Sequence, residues 1–195
     1  MWVVMMIPMM LPSLVPMLWR YREAVGNLGQ ARLNVLTALV GVGYFSVWTV
    51  VGAAVFPFTG ALAAIEMEHP ALAHAAPIAV GLIILLAGVM QFTAWKARHL
   101  ACCRDAAVVG HPFRADVRTA WQHGVRLALL CAPCCANLMV ILVVVGMMDL
   151  RAMAAVTAAI TAERLAPAGE RVARAIGFVA IGTAVLLIAQ AAGVA

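Results

Sequence analysis

The chain has 195 residues, of which 66% are apolar and only 11% are charged, with a mean hydropathy of +1.03. A soluble domain carries roughly 45–50% apolar and about 25% charged residues, so a soluble fold of this length could not bury its apolar surface. The formal net charge of +5 comes from basic residues that lie between the apolar runs and form no patch with aromatic residues, which argues against a nucleic-acid partner.

Six apolar stretches approach the roughly 20 residues that a membrane-spanning helix needs. We therefore predict an all-α fold, a polytopic transmembrane helix bundle of about six spans that forms one domain over residues 1–195. The stretches cover residues 1–19, 33–56, 72–95, 124–148, 150–165 and 175–194. Basic residues, Lys96 and Arg164 among them, are concentrated in alternate connections, which predicts that these connections face the cytoplasm. Glu163 is expected to snorkel to the membrane surface or to pair with an arginine.

The first stretch carries a methionine face. Met5, Met6, Met9 and Met10, followed by Met17, fall within an arc of about 140° on a helix. Thioethers are soft ligands that suit Cu(I), although methionine is also an ordinary packing residue. On spacing alone the packing interpretation is favoured, and a neighbouring thiol cluster would strengthen the metal interpretation.

A basic segment with two cysteines follows the third stretch. His99 and Cys103 are four residues apart and therefore neighbours on one helical face, with Cys102 beside them. Nearby positive charge favours the thiolate, which is the form of cysteine that binds metal. A basic membrane-edge segment with incidental cysteines explains the same pattern equally well.

The fourth stretch contains the strongest candidate site, Cys131-Ala-Pro-Cys134-Cys135. The three thiols fall within an arc of about 100° on a helix and can converge on one ion. Pro133 leaves the carbonyl of Leu129 without its helical partner, which predicts a kink. Cysteine is also a small apolar residue at helix interfaces, but three cysteines around one proline favour a metal or redox site.

Four segments resemble, in this order, a bacterial family of metal-binding integral membrane proteins that is also described as a copper chaperone family: MWVVMMIPMMLPS, KARHLACCR, WQHGVRLALLCAPCCANLMVILVVVGMMDL and AERLAPAGER. The resemblance runs from residue 1 to about residue 171, and its most specific part is the set of Cys131, Cys134 and Cys135. It implies a multi-pass copper-binding protein of the bacterial cytoplasmic membrane. His99 is a departure, since the family usually has a cysteine there, whereas Cys103 keeps the second position.

The leading hypothesis is a membrane-embedded protein that binds a soft metal, above all Cu(I), with zinc as the second candidate ion. The methionines would capture the ion near the outer face and pass it to the Cys131 cluster, then to Cys103 and His99. Two alternatives stay open, a thiol–disulfide membrane oxidoreductase and a structural or accessory subunit of a membrane complex. We expect no enzymatic activity, the lipid bilayer as surroundings, and a metalloprotein, a membrane complex or a second copy of the chain as partner.

Overall fold

The computed structural model describes residues 2–26, 29–68, 70–105, 116–146 and 149–193. Within these ranges the chain forms seven α-helices and no strand, so the predicted all-α class is confirmed. The helices are α1 (Trp2–Val25), α2 (Gln30–Glu68), α3 (Pro70–Met90), α4 (Ala94–Asp105), α5 (Val117–Val145), α6 (Leu150–Leu165) and α7 (Gly169–Ala191).

Three of the described helices are long and apolar enough to cross a membrane. They comprise Gln30–Ala61 in α2, Val117–Val145 in α5 and Gly169–Ala191 in α7. A fourth span results if Ala75–Met90 and Ala94–Arg104 are counted together, although they are bent by 65°. The helix over residues 150–165 has the predicted bounds, but its 16 residues reach only about 24 Å along a helix axis. The bundle of six spans stays a prediction.

The third apolar stretch is broken, whereas the sequence predicts one helix over residues 72–95. Helix α3 ends at Met90 and α4 begins at Ala94. Two polar residues form hydrogen bonds at the break. Thr93 Oγ1 donates to the Met90 carbonyl and accepts from the Lys96 amide, so it binds backbone groups that a continuous helix would pair. Gln91 binds the Glu163 side chain. The break turns α4 across the bundle and directs its buried face toward α5.

Helix α5 is the centre of the packing, with its most extensive contact against α2. Asp116 caps its first turn by accepting the Thr119 amide at 2.8 Å, and Gly146, with φ of 124°, ends it. Its buried face carries three cysteines, and this face shares one apolar core with side chains from α1, α2, α4 and α6. A smaller apolar core lies between α3 and α7. The larger core therefore positions every sulfur-bearing candidate ligand except the exposed Cys102.

The α2–α5 contact depends on Gly124. A Cβ atom at this position would overlap the Val40 carbonyl group, which is rigid backbone. We expect Gly124→Ala to lower the free energy of unfolding by about 1–3 kcal/mol, as overpacking does. Gly41→Ala is the matched control, because a Cβ at Gly41 meets no atom within 4 Å and alanine favours the helix. In detergent, Gly124→Ala should therefore melt at a lower temperature than Gly41→Ala. Equal melting temperatures would contradict the close approach of α2 and α5 at Gly124.

Candidate metal centre

The three cysteines of α5 lie together on its buried face. Cys131, Cys134 and Cys135 are reduced and at most 1% exposed. Cys131 and Cys135 are one helical turn apart, and their Sγ atoms lie 3.5 Å from each other. Sulfurs that share a tetrahedral ion lie about 3.8 Å apart, given metal–sulfur bonds of about 2.3 Å. This pair therefore needs little movement to hold one ion.

Cys103 joins the cluster from α4. It is 1% exposed, belongs to the same apolar core and interacts with both Cys131 and Cys134. We use the name thiol cluster below for Cys103, Cys131, Cys134 and Cys135. Its four sulfurs come from residues that are separated by up to 32 positions in the chain, and the break before α4 is what brings the fourth one in.

The other candidates of the basic segment stay at its edge. Cys102 is exposed. The His99 ring packs on Trp95 with centroids 4.2 Å apart, and its Nδ1 atom lies 2.8 Å from the Trp95 carbonyl oxygen. The structure thus groups Cys103, but not His99, with the three cysteines of α5. A ligand role for His99 would require its ring to leave Trp95.

The methionine face of α1 packs into the same core as the thiol cluster. Met6, Met9, Met10 and Met17 are buried, and Met5 packs against them while partly exposed. Pro8, Pro12 and Pro16 recur every fourth residue on another side of this helix. Each proline removes one backbone hydrogen bond on its own side and leaves the methionine side free to pack. Thioether and thiol sulfur are therefore neighbours in the folded chain, although 86 or more positions separate them in sequence.

Arg164 lies between the two kinds of sulfur, a position that the sequence does not predict. The interpretation of Arg164 as a loop charge is wrong, since the residue is 5% exposed. Its Nη1 atom donates to Cys131 Sγ at 3.2 Å and to Ser13 Oγ at 2.7 Å, and its Nη2 atom donates to Met17 Sδ at 3.3 Å. A charged residue at the end of an apolar, alanine-rich stretch was the one signal available.

Tyr44 is a second unpredicted neighbour of the thiols. Its side chain is fully buried, and its hydroxyl donates to Cys131 Sγ at 3.1 Å. Cys131 thus receives hydrogen bonds from both Tyr44 and Arg164. Donors of this kind stabilise negative charge on the sulfur, which is the form that binds metal. Cys131 is the most strongly supported ligand of the cluster on these contacts.

Lys96 and Glu163 form a buried ion pair beside the cluster. The Lys96 Nζ atom donates to Glu163 Oε2 at 2.7 Å, to the Cys134 carbonyl at 2.6 Å and to Asn137 Oδ1 at 3.3 Å. Gln91 donates to the other Glu163 oxygen at 2.6 Å. The expectations that Lys96 is a loop charge and that Glu163 snorkels or pairs with an arginine are both wrong. Two charges that would each be costly in an apolar core neutralise one another there.

A cavity of about 390 Å³ opens at the break between α3 and α4, on the side of Lys96. Gln91, Thr93, Lys96 and Arg174 contribute to its lining, which contains no cysteine or methionine. The cavity therefore lies beside Lys96, and no sulfur of the thiol cluster is among the described residues that line it.

Nowhere in the described ranges do three cysteine, histidine or acidic side chains already converge on one point as a metal site requires. The arrangement is a close sulfur pair, Cys131 and Cys135, with two further thiols and several thioethers around it. Such a set can hold an ion that accepts few, soft ligands, and it can pass that ion between neighbouring sulfurs. The neighbouring carboxylate, Glu163, is already paired with Lys96.

A comparison with protein-family models gives a match over most of the chain. The model of the family PpoB2, described as copper chaperone, matches residues 1–187. No curated protein and no solved structure matches the chain.

Proposed function

The chain belongs to the PpoB2 family of copper chaperones, and from that membership we propose that it binds Cu(I) inside a membrane-embedded helix bundle and delivers it to a partner protein. The observation that carries the proposal is the thiol cluster, in which four free cysteines from two helices meet in one buried core with the methionine face. A packing role would not require reduced sulfur from so many positions to meet at one place.

The four thiols differ in how closely they are already placed to bind one ion. Cys131 and Cys135 provide the first pair, and Cys103 or Cys134 from the same buried core completes the coordination. Thiolate and thioether sulfur select Cu(I), which accepts few ligands, whereas structural Zn²⁺ takes four in tetrahedral geometry.

The methionine face supplies the approach to the thiols. An ion held by Met6, Met9 and Met10 would move by exchange of one sulfur ligand for another, with Met17 next to the guanidinium that touches Cys131. Overlapping ligands keep the ion coordinated throughout, which avoids the large cost of a bare charge in an apolar interior. From Cys131 the ion could continue to Cys103 on α4, at the edge of the bundle that we propose faces the cytoplasm of a bacterial cell.

Burial of the sulfurs argues against the alternative of thiol–disulfide exchange. That chemistry requires a partner thiol to reach one sulfur, and the four cysteines of the cluster are at most 1% exposed. A purely structural subunit would explain the packing but not the match to a copper chaperone family. We propose that the protein is a copper carrier and no enzyme.

Metal analysis of the purified full chain tests the proposal. After anaerobic loading with Cu(I) and removal of excess metal, the protein in detergent should retain about one equivalent of copper, and an excess of Zn²⁺ should not displace it. Protein that retains no copper, or that binds zinc in preference, would contradict the proposed cargo.

The contribution of the methionine face can be measured separately. Replacement of Met6 and Met10 together with leucine keeps the apolar volume, and such swaps usually cost under about 1.5 kcal/mol. We expect a folded protein that captures Cu(I) about tenfold more slowly, because leucine offers no lone pair, while Zn²⁺ binding at the thiols is unchanged. Met67→Leu is the control, since Met67 is 82% exposed. Equal loss for both ions would instead indicate a distorted α1, and no loss for either would leave the methionines with a packing role.

A further inference from the structure

The buried guanidinium of Arg164 lies between the methionine face and the thiol cluster, where a copper ion would have to pass. Arg164 contacts a thioether with one terminal nitrogen and a thiol with the other, at 3.3 Å from Met17 Sδ and 3.2 Å from Cys131 Sγ. We propose that Arg164 is a gate between the methionine face and the thiol cluster, closed in the metal-free protein and moved aside by the arriving ion. The proposal rests on the proposed function, because it concerns the passage of the same cargo.

Arg164 would oppose the passage of the ion both sterically and electrostatically. An ion that passes from Met17 to Cys131 would have to approach both sulfurs, and the guanidinium now contacts both of them. Arginine stays protonated in proteins, and two positive charges a few ångströms apart repel strongly in an apolar interior. Cu(I) and the guanidinium therefore compete for Cys131 and cannot both contact it in the present arrangement.

The surroundings of Arg164 fit a displaceable contact better than a fixed structural one. Glu163, the acidic residue next to it, is already paired with Lys96, so no carboxylate from the described residues binds the guanidinium. Its Nε atom has no hydrogen-bond partner among the described residues. Two of its three contacts are to soft sulfur, and only Ser13 Oγ is an oxygen acceptor. Bidentate carboxylate binding is the usual way to fix an arginine, and it is missing here.

Ser13 would keep the displaced side chain near the cluster. Its hydroxyl accepts from Arg164 at 2.7 Å and donates to the Met10 carbonyl at 3.0 Å, so it is held by the helix that carries the methionines. When the ion leaves, the guanidinium can return to Cys131 and restore the neutral metal-free core. The gate thus favours release of the cargo as well as delaying its entry.

Stopped-flow transfer of copper from its Cu(I)–bicinchoninate complex to the full chain in detergent tests the gate. We expect Arg164→Gln to take up copper about tenfold faster than the unsubstituted protein and to reach the same stoichiometry, because a charged hydrogen-bonded contact no longer has to be broken. Ser13→Ala keeps the charge and all sulfurs but loosens the guanidinium, and it should accelerate uptake by a smaller factor. Arg174→Gln is the matched control and should leave the rate unchanged, since Arg174 is exposed.

Each outcome bears on the gate in a defined way. A purely structural role for Arg164 predicts slower uptake or a lower stoichiometry in Arg164→Gln, and either result would overturn the proposal. An unchanged rate in both Arg164→Gln and Ser13→Ala would do the same. If Arg164→Gln does not fold, the rate of Ser13→Ala decides alone. Failure of the unsubstituted protein to take up copper would contradict the proposed function itself and not only the gate.

Discussion

Simultaneous replacement of Cys131, Cys134 and Cys135 with serine should abolish stoichiometric copper binding while the protein still inserts into the membrane. Serine is close to cysteine in size, so the α5 packing is retained, but its hydroxyl is a hard ligand that does not compete for Cu(I). Within a helix the new hydroxyls can donate to the carbonyl one turn before, which limits the cost of burying them. Cys103, the one remaining thiol of the cluster, has no second thiolate beside it in this variant.

The measurement is the copper content of the purified membrane protein after anaerobic loading. Cys102→Ser is the control, because this cysteine is exposed and adjoins the cluster only in sequence, and it should bind as the parent does. Single replacements should rank Cys131 as the most severe, since Tyr44 and Arg164 both donate to its sulfur. A triple variant that binds copper like the parent would show that these cysteines are packing residues, and the proposed function would fail with them.

Hydropathy and periodicity predicted the helices well where the chain is uniformly apolar. The stretch over residues 150–165 is a helix with those bounds, and the spacing of Cys131, Cys134 and Cys135 correctly indicated one helical face. The break after Met90 was not predicted, because an average over a long window conceals one Gln and one Thr among apolar residues. Gln91 and Thr93 were the local signals. The Thr93 hydroxyl binds the Met90 carbonyl, which a backbone amide would bind in a continuous helix, and Gln91 binds Glu163 on α6.

The composition of the site was predictable only in part. Sulfur ligands can be recognised by residue type, and so Cys103 and the methionines could be proposed from the sequence. Tyr44 and Arg164 could not, because they reach Cys131 from 87 and 33 residues away, and tertiary packing alone decides that contact. The rule that basic residues mark cytoplasmic loops also counted Lys96 and Arg164, which are buried in the bundle. A charge at the end of an apolar stretch is ambiguous between the two roles until its partners are known.

The ion pair of Lys96 and Glu163 should be the most sensitive polar contact of the fold. Lys96→Met retains most of the side-chain volume but leaves Glu163 buried without a counter-charge. Removal of one partner of a buried pair typically costs about 3–5 kcal/mol, and we expect the free energy of unfolding to fall by that amount. The measurement is reversible unfolding by denaturant in mixed micelles, with helix content as the readout.

The double variant Lys96→Met with Glu163→Leu separates an uncompensated charge from lost packing. Replacing a whole buried pair with apolar residues is often close to neutral, so the double variant should recover most of the stability that Lys96→Met loses. Glu170→Gln breaks the exposed pair with Arg174, whose atoms lie 3.8 Å apart, and serves as the matched control with an effect of about 0–1 kcal/mol. If Lys96→Met were as mild as Glu170→Gln, water from the adjacent cavity would have to hydrate Glu163, and the pair could not be what holds α4 and α6 beside the thiol cluster.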